Sequence, residues 1–275
     1  MESPLEQRWI SGADTVPLDD RMLTHGLGVF ETMLAVDGRL VRPGYHGERI
    51  ADACARLGID APDWQACLDE IGHRLPAAGW HRVRVARSAG RGRLDRTAGE
   101  APITLLSISP LALPPESIRV VTAPWQRNES SPLSAVKCSS YAESLLALDH
   151  ARRSGAEEVV FLNTRGRLAE AATANVFLIR DGRFLTPPCA DGCLAGTTRR
   201  WILESFPEQA CEVTLDPAET STAEGGFLCS ATRGPVAVSH WDGREIPVSA
   251  AFPGLKSAWL AALGGEDDGI FRYPG

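Results

Sequence analysis

Lysine is almost absent from this chain. Of its 28 basic side chains only two are lysines, Lys137 and Lys256, and the rest are arginines. Long apolar runs are missing too; none approaches the roughly 20 residues that a membrane-spanning helix needs. Positive charge is in deficit, with 35 acidic residues giving a net charge of −7. That balance argues against a nucleic-acid binder held by phosphate neutralisation. The seven cysteines are scattered and odd in number, which fits reduced thiols rather than a disulfide framework. Their one close pair, Cys189 and Cys193, has no His or Cys partner nearby in sequence, so no metal is expected. The start of the chain, Met1 to Arg8, is polar and acidic, so a cytoplasmic location is expected rather than secretion. Neither Gly26-Leu27-Gly28 nor Gly90-Arg91-Gly92 completes a dinucleotide fingerprint between a strand and a helix. No P-loop and no nucleophile-elbow pattern is present.

What the chain does contain is ordinary for a soluble globular protein: 44% apolar and 23% charged residues over 275 positions, enough for one large core or two smaller ones. Asp37-Gly38 separates apolar runs at Val29–Val36 and Arg39–Val41, a strong hairpin signal. Helical spacing predicts helices over Tyr45–Leu57, stopped by Gly58, and over Asp63–Leu75. Further strands are predicted at Gln7–Ile10, Val83–Ala86 and Ile103–Ile108, with a polar loop from Asp19 and a flexible basic loop over Ser88–Arg93. Pro110–Pro115 contains three prolines and marks the best domain boundary. The expected division is an N-terminal α/β domain over 1–109, a linker over 110–117 and a C-terminal domain over 118–275. The second half is strand-rich: Ile118–Thr122, Val159–Leu162, Thr173–Ile179, a hairpin at Asp181-Gly182, Phe227–Cys229 and Val236–Val238. Helices are predicted over Ser140–Arg153, from Leu194 to Ser205, and over Phe252–Leu263.

Lys137 stands where a Pro/Ser-rich loop meets a long helix, with apolar residues before it and hydroxyls after it. An amine there could form a Schiff base, which an arginine cannot, because it stays protonated and is not nucleophilic. A solvated loop lysine is the ordinary alternative. Gly196-Thr197-Thr198 opens a predicted helix, so backbone N–H groups and hydroxyls converge on one spot suited to an anion. Ser230-Ala231-Thr232 follows a strand and offers more donors, and Arg49 offers a full charge. Each also has a plain reading, as helix caps and a surface arginine. Glu170 lies between two strand patterns in a run of small residues, where a carboxylate could hold a protonated ring nitrogen or simply face solvent.

Taken in order, Asp20-Arg21, Gly28-Val29-Phe30-Glu31-Thr32, His46-x-x-Arg49, Lys137, Glu170 with Asn175, Gly196-Thr197-Thr198-Arg199 and Ser230-Ala231-Thr232 closely resemble the class IV aminotransferases. These are the fold-type IV pyridoxal 5'-phosphate (PLP) enzymes, and the resemblance runs from about residue 7 to 263. It implies a two-domain α/β (α+β) fold, with a smaller N-terminal α/β domain and a larger, strand-rich pseudo-barrel domain that meet at the cofactor. A homodimer would complete each site. By the same resemblance, Lys137 carries PLP and serves as acid and base, Glu170 pairs with the pyridine nitrogen, and Arg49, Thr197, Thr198 and Thr232 bind the phosphate. Asn175, Gly196, Ser230 and Ala231 belong to the same cofactor-binding segments.

Within the family, length and the Phe30-Glu31-Thr32 segment look most like 4-amino-4-deoxychorismate lyases, which release 4-aminobenzoate and pyruvate in the folate branch. Transaminases acting on D-amino acids, branched-chain amino acids or (R)-amines are the alternative, and a PLP-fold binding module without turnover is a remote one. D-amino acid aminotransferases trap the substrate carboxylate with a Tyr, an Arg and a His; the matching positions here are Phe30, Arg87 and Ala89. Branched-chain enzymes carry a Gly where this chain has Thr32. Many lyases follow the lysine with a His-Leu-Asn-Arg stretch, whereas this chain has Cys138-Ser139-Ser140-Tyr141. Phe30, Thr32 and Tyr141 are expected beside a small amino substrate, and Arg87, Arg91 and Arg233 are the candidates for its carboxylates.

Overall fold

The computed structural model describes residues 7–10, 15–263 and 271–272, the first and last of these stretches by backbone course alone. Met1–Glu6, part of the polar start read from the sequence, lie outside the described residues. By contact the chain forms two units: Met1–Leu113 with Val136–Tyr141 and Leu263–Gly275, and Pro114–Ala135 with Ala142–Ala262. This is a two-domain α+β architecture whose second domain is a strand-rich, curled sheet.

The first unit contains β1 (Gln7–Ile10), α1 (Arg21–His25), β2 (Gly28–Val36), β3 (Arg39–Leu40), α2 (Pro43–Leu57), α3 (Trp64–Arg74), β4 (Trp80–Ser88) and β5 (Thr104–Pro110). Its antiparallel sheet runs β1-β5-β4-β2-β3. The β2–β3 turn is built as its sequence demands, with Asp37 at φ +48° and Gly38 at φ +74°, the paired left-handed residues of a tight hairpin. Helix α2 opens with Pro43, whose missing N–H costs nothing in the first turn, and stops at Gly58, φ +64°. Ile50, Ala53, Cys54 and Leu57 recur at helical spacing and are buried with Val29, Met33, Ala35, Val83 and Val85 of the sheet.

Alternation along β4 sorts its faces: His81, Val83 and Val85 are buried while Arg82 and Arg84 are exposed. The β2–β4 register sets Val29 opposite Arg87, Glu31 opposite Val85 and Met33 opposite Val83. Facing residues of an antiparallel pair share a sheet face, so these lie on the helix-bearing side. Phe30 opposite Ala86, Thr32 opposite Arg84 and Leu34 opposite Arg82 lie on the other.

Two local expectations are corrected. The polar loop from Asp19 is a one-turn helix, α1, because the Asp20 carboxylate accepts the Met22 N–H at 2.8 Å as a helix cap. The basic loop after Ser88 is anchored by the buried Arg21, which donates to Gly90 O (3.1 Å), Ala89 O (2.8 Å), Thr97 O (2.9 Å) and Arg96 O (2.6 Å).

The second unit contains β6 (Ser117–Thr122), α4 (Ala142–Arg153), β7 (Glu158–Leu162), β8 (Leu168–Ala171), β9 (Asn175–Arg180), β10 (Arg183–Thr186), α5 (Thr197–Ser205), β11 (Ala210–Glu212), β12 (Gly225–Ser230), β13 (Gly234–Trp241), β14 (Arg244–Glu245) and α6 (Phe252–Ala262). Its sheet runs β11-β10-β9-β12-β13-β6-β7-β8, with β14 on β13. The β8 end comes back against β9, where the Ala171 N–H reaches Ala174 O at 2.8 Å. Small residues let α4 sit closely on the sheet: Ala147 and Ala151 pack with Val159, Phe161 and Ala172. Phe177 and Phe227 stack with centroids 4.7 Å apart. Strand β8, which the sequence did not suggest, is made by hairpin pairing with β7 across a turn at Gly166 (φ +73°). The strand expected from Thr173 begins at Asn175. A last short strand, β15 (Phe271–Arg272), pairs with β3 of the first unit. Among the described residues no helix is long and apolar enough to cross a membrane, and no group of three or more His, Cys, Asp or Glu is arranged to hold a metal ion.

Candidate active site

In the first unit, the segment Val136–Tyr141 lies along β2. The Phe30 N–H donates to Lys137 O at 3.0 Å, the Ser139 N–H donates to Gly28 O at 2.8 Å, and Val29 pairs with Cys138. The pairing sorts side chains as in a sheet: Cys138 joins Val29 in the buried core, and Lys137 goes with Phe30 to the opposite face. There the Lys137 Nζ stands 4.5 Å from the Phe30 ring centroid and 6.0 Å from that of Tyr141. Tyr141 meets Phe30 edge-on at 5.4 Å. The Arg84 guanidinium lies 3.8 Å over the same Phe30 ring. One face of the sheet therefore gathers a lysine amine, a guanidinium, two aromatic rings and the Thr32 hydroxyl. Gly26 permits the close return of the segment, since a Cβ there would fall 2.8 Å from Ser140 Oγ.

On the helix-bearing face, Glu31 is fully buried at 0% exposure. Arg49 grips it with two bonds, Nε to Oε1 at 2.8 Å and Nη2 to Oε2 at 2.6 Å, and His46 Nδ1 stands 2.5 Å from Oε2. Burial pushes the Glu31 carboxyl up, but the charges and hydrogen bonds of Arg49 and His46 prevail and hold it at about 2. His46 is shifted down by its own burial, aided by the charges of Arg49 and Lys137 against the pull of Glu31. Facing an ionised carboxylate, the ring presents Nδ1–H as donor.

In the second unit, Glu170 stands in β8 with its side chain 12% exposed. Arg127 Nη1 donates to its Oε1 at 2.5 Å and the Leu194 N–H to its Oε2 at 2.9 Å. Arg127 is itself fixed over the Phe161 ring at 4.0 Å and bonded to Glu143 at 3.1 Å. Asn175 Nδ2 donates to Leu194 O at 2.8 Å, so the backbone of one residue, Leu194, ties both side chains. The chain then enters α5 at Gly196, whose position provides no side-chain cap, and Thr197 and Thr198 form its buried first turn. Ser230 ends β12, and Ala231 and Thr232 form the half-buried turn into β13.

The three arginines proposed from sequence for carboxylate binding have other engagements. Arg87 faces the helices and donates to Asp60 O (2.8 Å), Pro102 O (3.2 Å) and Thr104 Oγ1 (3.0 Å). Arg91 is exposed and 3.7 Å from Asp19. Arg233 binds Glu158 at 2.9 Å and Thr173 at 2.7 Å. Sequence reasoning missed Arg84, although the alternation Arg82-Val83-Arg84-Val85 signals its face. It also missed Arg127, whose pairing with Glu170 has no local signal. Lys256 is a half-buried residue of α6.

Comparison with known proteins places these features in context. The family model for amino-transferase class IV matches residues 28–241. A protein of Methanocaldococcus jannaschii named as a branched-chain-amino-acid aminotransferase is 30% identical over 242 residues, covering 84% of each chain. A bifunctional aminodeoxychorismate lyase / D-amino acid transaminase of Mycobacterium tuberculosis is 26% identical over 260 residues, covering 86% of this chain and 89% of its own. Among solved structures, the PLP-bound form of a hypothetical aminotransferase from Mycobacterium tuberculosis superposes with a TM-score of 0.82 at 26% identity, covering 92% of this chain and 94% of the other.

Proposed function

The chain belongs to the amino-transferase class IV family, and from that premise we propose that it is a PLP-dependent aminotransferase moving an amino group between an amino acid and a 2-oxo acid. The observation that carries the reading is the placement of Lys137. Its amine stands on the sheet face that also bears Phe30, Thr32, Tyr141 and the Arg84 guanidinium.

The donor set suits PLP. Lys137 supplies the primary amine that would bind its aldehyde carbon. The first turn of α5 has Gly196 at its cap, and a Cβ there would strike Asn175 Oδ1 at 1.9 Å; backbone N–H groups with no capping side chain suit a phosphate. Glu170, held between Arg127 and the Leu194 N–H, would keep the ring nitrogen protonated. Thr197, Thr198, Ser230, Ala231, Thr232 and Arg49 complete the set by the family pattern. When bound, PLP supplies an electron-accepting ring.

The protein's own groups do the rest. Lys137 Nζ takes the proton from the substrate Cα and returns one on the other side of the transfer. Phe30 and Tyr141 line that face and keep water from it. Arg84 binds a substrate carboxylate by a charge-assisted pair, in place of Arg87, Arg91 and Arg233.

Amino transfer displaces the lyase reading as first choice. The M. jannaschii relative and the PLP-bound structure carry aminotransferase names, and Cys138-Ser139-Ser140-Tyr141 departs from the His-Leu-Asn-Arg stretch of many lyases. The lyase activity stays as a second reading because the M. tuberculosis relative is named for both activities. The test supplies D- and L-amino acids with 2-oxo acids, and separately 4-amino-4-deoxychorismate. Amino transfer is the expected result. Release of 4-aminobenzoate and pyruvate without amino transfer would reverse the choice. A homodimer in the cytoplasm is proposed on the family pattern.

A further inference from the structure

We infer that Glu31 is a positioning residue that aims Arg49 at the cofactor phosphate. The inference rests on the PLP reading above. Buried carboxylates are costly, and an isolated one is rarely kept in a core. Glu31 lies in the middle of β2 at 0% exposure, on the same face as Met33 and Val29, positions that hydrophobic residues fill. A third apolar side chain would suit the core better unless the charge serves a partner.

That partner is Arg49. Its Nε and Nη2 clasp both carboxylate oxygens, at 2.8 and 2.6 Å. A two-point clasp fixes the plane of the guanidinium as well as its position. His46, one helical turn earlier on α2, holds the same Oε2 at 2.5 Å. The carboxylate is thus locked from the helix and in turn locks the arginine. The Arg49 side chain retains 12% exposure, so the group so aimed is not sealed in the core. A long arginine without this clasp would sample many rotamers and lose entropy on meeting an anion.

The idea separates from simple electrostatics by sign. Glu31 is negative, so by charge alone it repels a phosphate, and Glu31→Gln would then tighten PLP binding. Positioning gives the opposite outcome. The experiment titrates full-length apoprotein with PLP and with pyridoxal, which lacks the phosphate, following absorbance and borohydride labelling of Lys137. For Glu31→Gln the PLP dissociation constant is expected to rise about 10- to 100-fold, the equivalent of one or two charge-assisted bonds, with pyridoxal affinity unchanged. A merely structural role would weaken both ligands alike. In an Arg49→Lys background, which keeps the charge but not the fork, Glu31→Gln is expected to add less than about twofold, because the carboxylate acts through the guanidinium. Should Glu31→Gln fail to fold, Glu31→Asp, which keeps the charge but shortens the reach, is expected to show the same loss of PLP over pyridoxal. Unchanged or tighter PLP binding in a folded variant overturns the inference and leaves the family reading intact. Failure of the wild-type protein to bind PLP overturns both.

Discussion

Replacing Gly196 by alanine is a small change with a calculable consequence. Its φ of −69° is open to any residue, so no backbone strain arises. The added Cβ, however, would fall 1.9 Å from Asn175 Oδ1, 3.0 Å from Asn175 Cγ and 3.6 Å from Arg199 Cβ. Asn175 is buried and its Nδ2 is bonded to Leu194 O at 2.8 Å. Relief requires its amide to move by more than 1 Å, roughly the shortfall from van der Waals contact, which breaks that bond. Loss of a buried hydrogen bond costs about 1–3 kcal/mol and local overpacking a similar amount, so about 2–5 kcal/mol in all. Leu194 also donates its own N–H to Glu170 at 2.9 Å, so loosening this residue frees the carboxylate proposed for the ring nitrogen. Urea denaturation of the apoprotein should show the lost stability, and titration should show PLP binding weakened by about tenfold or more. Stability within about 0.5 kcal/mol of wild type together with unchanged PLP affinity would refute the packing argument.

Other perturbations follow from the same geometry. Arg84→Ala is expected to raise KM for amino acid substrates about 10- to 100-fold with a smaller change in kcat; steady-state kinetics would show it, and an unchanged KM would exclude Arg84 from substrate binding. Glu31 is an acid held below its ordinary value, at about 2 against 4.5, so its contribution is fully present above about pH 4.5 and is lost as pH falls toward 2, by up to roughly 3 kcal/mol. Denaturation midpoints at pH 7 and pH 3 should differ more in wild type than in Glu31→Gln. The Cys189 thiol is lowered to about 7, chiefly by a hydrogen bond from Cys193, whereas burial raises Cys54 and Cys67 to about 11 and Cys229 to about 12. Peptide mapping after brief iodoacetamide treatment at neutral pH should find Cys189 modified well ahead of those three.

Local chemistry was readable from the chain at most turns and helix ends, though the Asp20 cap that makes α1 was not. Asp37-Gly38 and Asp181-Gly182 make the expected turns because each pair supplies two successive left-handed residues. Gly58 ends α2 for the same reason. Pairings between distant segments were not readable. Strand β8 is four residues, two of them alanine, and is defined by its partner rather than by its own propensity. Val136–Tyr141 carries no strand signal; it is extended because it bonds to β2 across more than 100 positions. The arginines show the limit most clearly. Arg84 and Arg87 are three positions apart in one strand, and an odd separation sends them to opposite faces. Without the β2–β4 register, the family pattern drew attention to Arg87, whose Nε and Nη1 are bonded on the helix-bearing face, and away from Arg84 on the Lys137 face. The candidate lysine and acid were proposed from motif order, as were Phe30 and Tyr141 beside the lysine, while Arg84 over Phe30 and Arg127 on Glu170 emerged only in three dimensions.

The central claim is that Lys137 is the amine that carries the cofactor. Reduction of the PLP-loaded protein with borohydride, followed by peptide mapping, tests it directly, because the chain offers only one other lysine. The expected result is a phosphopyridoxyl label on Lys137, absent from a Lys137→Arg variant that also lacks turnover. A label on Lys256 with Lys137 unmodified, or full activity in Lys137→Arg, would contradict the account.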